Sequence, residues 1–339
     1  MDPDTQPTAA HQSAGTPAPG RRAPAGQDGA MRVSLRHVDA DGQAHDLVGD
    51  LVLADEERIV VLPAGRGPVE VPREQVRAMR RVPPRVVRPS SGVDDLQRLM
   101  AEGWPGTEQV RLGGWTLHAG GGHTKRANSA HPTGDPERDL DQALRDVVSF
   151  YAERGLPALV QVAARNLSSD EPGARLDREF AGRGWQPSER AIAMTLDLRA
   201  PGPADVLPPG YSGTVRWADS PDEDWLGPES SEDPARLPVT TAVDAHYATL
   251  LVDGRVAGAG RLVLTRDWGG LSGLVIDSAL RGRGHGRALT VAMTARAREL
   301  GARFCYLQVV EDNHVARSLY DSLGFMEHHR YLYRRSPLS

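Results

Sequence analysis

Six consecutive residues, Arg281-Gly282-Arg283-Gly284-His285-Gly286, are spaced to hold an anion. They follow an apolar run, Leu274-Val275-Ile276, that reads as a strand, and they open a helical stretch from about Arg287 to Leu300. Glycines let the backbone approach a ligand closely. The first N–H groups of a helix lack intrahelical partners and carry the positive end of its dipole. The chemistry that suits such a turn is phosphate binding. Two familiar phosphate loops fail on spacing. A G-x-G-x-x-G fingerprint begun at Gly282 ends on Arg287, and one begun at Gly284 ends on Leu289. A P-loop needs Gly-Lys-Ser/Thr, whereas Gly286 is followed by Arg287-Ala288.

The residues downstream must position this loop. Leu289, Met293, Ala297 and Leu300 recur at helical spacing and form an apolar stripe that faces a sheet, and Gly301 ends the helix. A strand over Phe304 to Val310 follows. Glu311-Asp312-Asn313 then supplies a helix cap, and the short helix closes at Leu323-Gly324-Phe325, ahead of a last strand from about Glu327 to Tyr333. Within that helix Asn313, Arg317 and Tyr320 stand at i, i+4 and i+7 and share one face. Val315 and Leu319 share the neighbouring face and read as core. Tyr320 therefore has its ring at the core edge and its hydroxyl free to reach a cleft.

Arg281, Gly284 and Gly286 fit the pattern R-x-x-G-x-G, and Asn313, Ala316, Tyr320, Gly324 and Phe325 fit N-x-x-A-x-x-x-Y-x-x-x-G-F. With both patterns the chain resembles the GCN5-related N-acetyltransferases (GNAT). The resemblance implies an α/β GNAT fold, a mixed, mostly antiparallel sheet flanked by helices. It implies acetyl-CoA as cosubstrate and no metal. Arg281, Gly282, Arg283, Gly284, His285, Gly286 and Arg287 would hold the pyrophosphate, and Val275 and Ile276 would pair with the pantetheine arm. Backbone N–H groups near Ile276 would polarise the thioester, and Tyr320 would protonate the departing thiolate. A phenol donates a proton without being ionised at neutral pH. Asn313 and Arg317 would flank the cosubstrate, although Asn313 is equally a plain helix cap. The acceptor would be a primary amine of a small molecule or amino acid, glutamate included, attacked directly in a ternary complex. Two rivals are a non-catalytic acetyl-CoA sensor and a protein-lysine acetyltransferase. The general base stays open among Glu311, Asp244 and a water chain.

Composition bounds the rest. The 339 residues allow two or three domains, 39 % of them are hydrophobic, and the formal net charge is −5, which argues against a general nucleic-acid binder. A single cysteine forbids an intrachain disulfide, and Cys305 falls in a core strand. No stretch approaches the ~20 apolar residues of a membrane span, and no signal-peptide core is evident. These features fit a cytoplasmic protein without membrane or nucleic-acid partners, and they allow a homodimer. Of 40 basic residues Lys125 is the only lysine.

Residues 1–30 lack periodicity and read as a disordered tail. Residues 31–83 hold five short strands between turn clusters and read as a small all-β SH3-like barrel, followed by a linker at 84–92. This arrangement resembles actinobacterial GNAT proteins often labelled N-acetylglutamate synthase-like or histone-acetyltransferase-like. The resemblance implies that residues 201–339 make the catalytic GNAT domain, with strands expected at His246 to Val252, Arg255 to Thr265 and Leu271 to Asp277, and turns at Asp253-Gly254 and Asp267-Trp268-Gly269-Gly270. The stretch Trp225 to Pro238 is polar and proline-bearing, where the family places substrate-binding helices.

Residues 93–200 echo that domain as a degenerate GNAT-like half, a tandem arrangement. Gln161-Val162 answers Gln308-Val309, and Phe180-x-x-x-Gly184-Trp185 answers Tyr320-x-x-x-Gly324-Phe325. The phosphate loop is replaced by Thr133-Gly134-Asp135-Pro136-Glu137-Arg138, whose acids repel pyrophosphate. This half is expected to form one wall of the substrate groove. Gly120 to Arg126 reads as an acceptor loop or a hairpin tip. His118, His123 and His131 lack a recognised ligand spacing. His328-His329 and Arg330 to Arg335 read as solvated, the arginines also as a screen for phosphates.

Overall fold

A computed structural model describes residues 31–63, 68–82, 86–227 and 235–337. The tail at 1–30 lies outside the described residues. The described chain divides into two compact units, one up to residue 82 and one from residue 86.

The first unit is a five-stranded antiparallel sheet. Its strands are β1 (Arg32–Val38), β2 (Ala44–Ala54), β3 (Arg58–Pro63), β4 (Val69–Pro72) and β5 (Val76–Arg81), in the order β4-β3-β2-β1-β5. Alternating side chains give a small core of Val33, Leu35, Ile59, Val61 and Val71.

The second unit begins with packed chain. Val87 is buried, and its carbonyl accepts from Trp268 Nε1 at 2.8 Å. Within the stretch read as linker, Val87 is thus a core residue, while residues 88–92 are exposed or half-buried. Next come α1 (Val93–Glu102), β6 (Glu108–Leu112), β7 (Trp115–Ala119), β8 (Ala130–His131), α2 (Leu140–Ala152), β9 (Leu159–Ala164), α3 (Pro172–Gly182) and β10 (Gln186–Asp197). The C-terminal half supplies β11 (Thr214–Ala218), α4 (Glu223–Leu226), α5 (Arg236–Thr240), β12 (His246–Val252), β13 (Arg255–Thr265), β14 (Trp268–Ile276), α6 (His285–Glu299), β15 (Phe304–Val310), α7 (His314–Ser322) and β16 (Met326–Arg335).

All eleven strands of this unit join one sheet, ordered β11-β12-β13-β14-β15-β10-β16-β9-β8-β7-β6. Only β8–β9 and β14–β15 are parallel, each pair bridged by one helix, α2 or α6. The order shows an exchange. β10, last strand of the first half, pairs with β15, and β16, last strand of the second, pairs with β9. The sheet therefore runs continuously across residue 200.

The stripe on α6 faces the core, with Leu289, Met293 and Ala297 fully buried. The turn before β14 is tighter than the sequence suggests. It consists of Arg266 and Asp267 alone, with Arg266 at φ 59°, and Trp268-Gly269-Gly270 belongs to the strand. A Cβ on Gly270 would strike the Tyr306 hydroxyl, so these glycines serve close packing and not a turn.

Candidate active site

β14 and β15 pair only from Trp268–Phe304 to Leu271–Leu307. Beyond that point β14 continues to Ile276 along β13, while β15 continues to Val310 along β10. The two strands part, and the edge of β14 facing the gap has no strand partner among the described residues. The cause is local. Gly273 adopts φ 62° beside a register shift between Ala259 and Arg261, a bulge that bends β14 away. Sequence reading passed over Gly273, although a lone glycine inside a strand pattern signals a bulge. At the parted end Ile276 packs on the core and Val275 is exposed.

A 3-10 turn at Ser278–Leu280, capped by Asp277 Oδ1 on Ala279 N at 2.8 Å, leads into the glycine loop. Gly282 and Gly284 take φ 76° and 82°, the left-handed region that glycine enters without strain. Gly284 is the N-cap of α6 and offers no side chain to the helix N–H groups, which leaves them for a ligand. A Cβ on Gly282 would meet nothing within 4 Å, and one on Gly286 would stand 3.3 Å from Leu319 Cδ2. The loop thus combines open space outside with tight contact to α7.

The side chains here divide. Arg281 folds its Nε onto the Ile276 carbonyl at 3.1 Å, and Arg283 is exposed. The side chains of His285 and Arg287 turn away from the loop. His285 is buried, with Nδ1 2.9 Å from the Tyr211 hydroxyl. Arg287 donates to the carbonyls of Pro203 (2.9 Å) and Val206 (3.3 Å) and to Ser322 Oγ (3.2 Å). As the first and third residues of α6 they bring backbone N–H groups to the loop, while their side chains point to the 203–211 segment and α7.

Asn313 caps α7, its Oδ1 accepting from Ala316 N at 3.0 Å, and Arg317 Nη1 donates to the Glu311 carbonyl at 3.0 Å. Val315 is not core but 84 % exposed. The short helix buries only one narrow face, of which Tyr320 is the buried residue and Ala316 and Leu319 the partly buried ones. Tyr320 packs edge-on against Phe325 at 5.8 Å between centroids, and its hydroxyl makes no hydrogen bond to a described residue. Burial pushes its pKa up to about 12, so the phenol keeps its proton at neutral pH.

On the face that carries α1, a cleft of about 290 Å³ lies at the end of β15. Lys125, Glu189, Gln308, Val310, Tyr331 and Tyr333 line it. Gln308 holds the Tyr331 hydroxyl at 2.6 Å and reaches Met100 Sδ of α1 at 3.4 Å. Thr124 to Arg126, the end of the loop that begins at Gly120, line the same cleft. Asn128 braces the loop by accepting from Gly120 and Gly122 N–H and donating to the carbonyls of His123 and Thr124. Of the carboxylates read as candidate bases, Glu311 is bound to Arg330, and Asp244 lies before β12 outside this cleft. The carboxylate lining it is Glu189, a position that nothing in the local sequence marks.

Two expectations for histidine and arginine fail. His328 and His329 are buried, not solvated, because β16 runs inside the sheet between β10 and β9. Gln97 Nε2, His329, His328 and the Ser91 carbonyl form a chain with steps of 2.7, 2.7 and 3.1 Å. Arg330 is tied to Glu327 and Glu311, and Arg334 is buried on Asp177 at 2.7 Å, so neither screens phosphates. His118 and His131 are buried with rings 4.7 Å apart, and no group of three metal-ligating side chains gathers among the described residues. Burial also pushes the Cys305 thiol up.

The family model described as "Probable histone acetyltransferase Rv0428c C-terminal" matches residues 90–334. The chain belongs to this family of GNAT acetyltransferases. The acetyltransferase is 27 % identical over 247 residues to "Uncharacterized N-acetyltransferase YobR" of Bacillus subtilis, covering 69 % of this chain and 96 % of the relative. It is 28 % identical over 302 residues to "Probable histone acetyltransferase Rv0428c" of Mycobacterium tuberculosis, covering 85 % and 88 %. A solved GCN5-related N-acetyltransferase from Kribbella flavida shares the fold at 15 % identity and a TM-score of 0.51, over 73 % of this chain and 97 % of that one. No described helix of the acetyltransferase is long and apolar enough to cross a membrane.

Proposed function

We propose that this acetyltransferase moves the acetyl group of acetyl-CoA to a primary amine of a small molecule or amino acid by direct attack. The observation that carries the reading is the glycine loop at the uncapped start of α6, set beside two strands that part after Leu271 and Leu307. N–H groups of Gly282 to Arg287 would take the pyrophosphate, with Arg281 and Arg283 adding charge. The free edge of β14 at Val275 and Ile276 would pair with the pantetheine amide groups as an added strand does. Tyr320, protonated and without a hydrogen-bond partner among the described residues, is suited to give its proton to the leaving thiolate. Asn313 and Arg317 hold the start of α7 and thereby the Tyr320 ring.

In this reading residues 201–339 carry the chemistry and residues 93–200 form a wall of the acceptor cleft through Lys125, Arg126 and Glu189. Residues 31–83 act as an SH3-like structural or docking module. The small cleft and its mixture of one carboxylate with two cations favour a small polar acceptor over a protein tail. A second reading, a protein-lysine acetyltransferase, draws support from the name of the matched family. Thiol release from acetyl-CoA, measured against free amino acids, polyamines, aminoglycosides and lysine peptides, separates the two. Turnover of a free amine is expected. Turnover of lysine peptides alone would transfer the assignment to the second reading, and acetyl-CoA binding with silence across the panel would make the chain a sensor.

A further inference from the structure

The single lysine among 40 basic residues stands in the acceptor-side cleft. Lysine and arginine differ in one respect that matters there. A guanidinium does not give up its proton in proteins and does not attack carbonyls, whereas a primary amine does both. Lys125 Nζ is 3.4 Å from Glu189 Oε2 and 5.9 Å from the centre of the Tyr333 ring. It shares the cleft with Gln308, Val309 and Val310, the end of β15 beyond the point where β14 and β15 part.

The backbone that presents it is held under strain. Thr124 adopts φ 58°, a region costly for a β-branched residue. It is kept there by Trp104 Nε1, which donates to Thr124 Oγ1 at 3.0 Å, and by Asn128 on its carbonyl. The Lys125–Glu189 pair is itself loose and more than a third exposed on both sides, so it adds little to stability. A costly backbone that presents a weakly tethered amine is arranged for something other than an ion pair.

We propose that Lys125 is an acceptor of this enzyme and is acetylated in cis. The inference rests on the acetyl-CoA reading given above. The ammonium of Lys125 gives a proton to Glu189. The freed nitrogen pair forms the bond to the acetyl carbonyl carbon, the carbon–sulfur bond breaks, the nitrogen gives its second proton to water, and the thiolate takes the Tyr320 proton. Glu189 returns its proton to water and Tyr320 is reprotonated from water. The products are acetyl-lysine and CoA thiol. Acetylation removes the positive charge opposite Glu189 and leaves that carboxylate facing an incoming amine.

The test is the intact mass of the full chain after incubation with acetyl-CoA. A gain of one acetyl group is expected, mapped by fragmentation to Lys125, at a rate independent of protein concentration. Lys125→Arg, an exposed substitution that keeps the charge, should remove the gain with an unchanged circular-dichroism spectrum. Glu189→Gln should slow it about a hundredfold. Labelling that is equally fast in Gly284→Glu is uncatalysed and overturns the proposal, as does a rate that rises with protein concentration. A chain that binds acetyl-CoA by calorimetry and acetylates free amines but leaves Lys125 unmodified overturns this proposal alone. A chain that does not bind acetyl-CoA overturns it together with the reading on which it rests.

Discussion

The same strand–turn–helix occurs twice in this sheet, and the two copies treat the helix start in opposite ways. In the C-terminal copy Gly284 caps α6 without a side chain and leaves its N–H groups to a ligand. In the N-terminal copy Asp139 caps α2, its Oδ1 accepting from Gln142 N at 2.8 Å, while Asp135 Oδ1 takes the Glu137 N–H at 2.7 Å. That helix start spends one donor on its own cap and gathers carboxylates around the rest, a field that disfavours an anion. The contrast repeats on the following helix. Tyr320 keeps a hydroxyl at the core edge, whereas Phe180 is fully buried against Trp115 and Trp185.

The sharpest way to break the comparison is to make the second loop resemble the first. Gly284→Glu adds a carboxylate at the helix start and a side chain at φ 82°. It is expected to weaken acetyl-CoA binding at least about a hundredfold by calorimetry, and unchanged affinity would sink the site. Tyr320→Phe makes the second helix resemble the first more gently. Turnover should fall about a hundredfold while acetyl-CoA affinity stays within about twofold.

The comparison also has a pH signature. His118 and His131 are buried in the first half, and His328 and His329 lie where the exchanged strands meet. All four are held below the ordinary value of 6.5, chiefly by burial. The folded chain therefore resists their protonation and the unfolded chain does not. Stability is complete above pH 6.5 and falls as pH drops below it, by up to about 1.4 kcal/mol per pH unit for each histidine. Denaturant melts between pH 7.5 and 5 should show the decline, and a flat profile would contradict the burial. The smallest effect is expected from Phe180→Tyr, which restores the lost hydroxyl. It has no polar partner there, so the change should cost about 2 kcal/mol and add no turnover.

Much of the chemistry was legible because it is local. The glycine loop, the stripe on α6 and the Asn313 to Phe325 pattern all lie within one strand–helix–strand stretch, where spacing alone sets which residues share a face. The errors arose where a neighbour distant in sequence decides. Val315 read as core because periodicity cannot say how wide a face a short helix buries. His328 and Arg334 read as solvated because the strand ahead of them cannot reveal that β10 and β9 close over both edges of β16. Glu189 carried no signal, since its place in the cleft comes from the pairing of β10 with β15.

By itself the sequence determined the fold class, the glycine turn at the start of α6 and the short helix that carries Tyr320, because glycine conformations and helical spacing are properties of short segments. Only the tertiary structure decided that the two halves exchange their last strands, that β14 bends away at Gly273, and that Lys125 and Glu189 of the first half meet at the end of β15. Strand order is set by burial across the whole sheet, and no local pattern encodes which edge a strand will join.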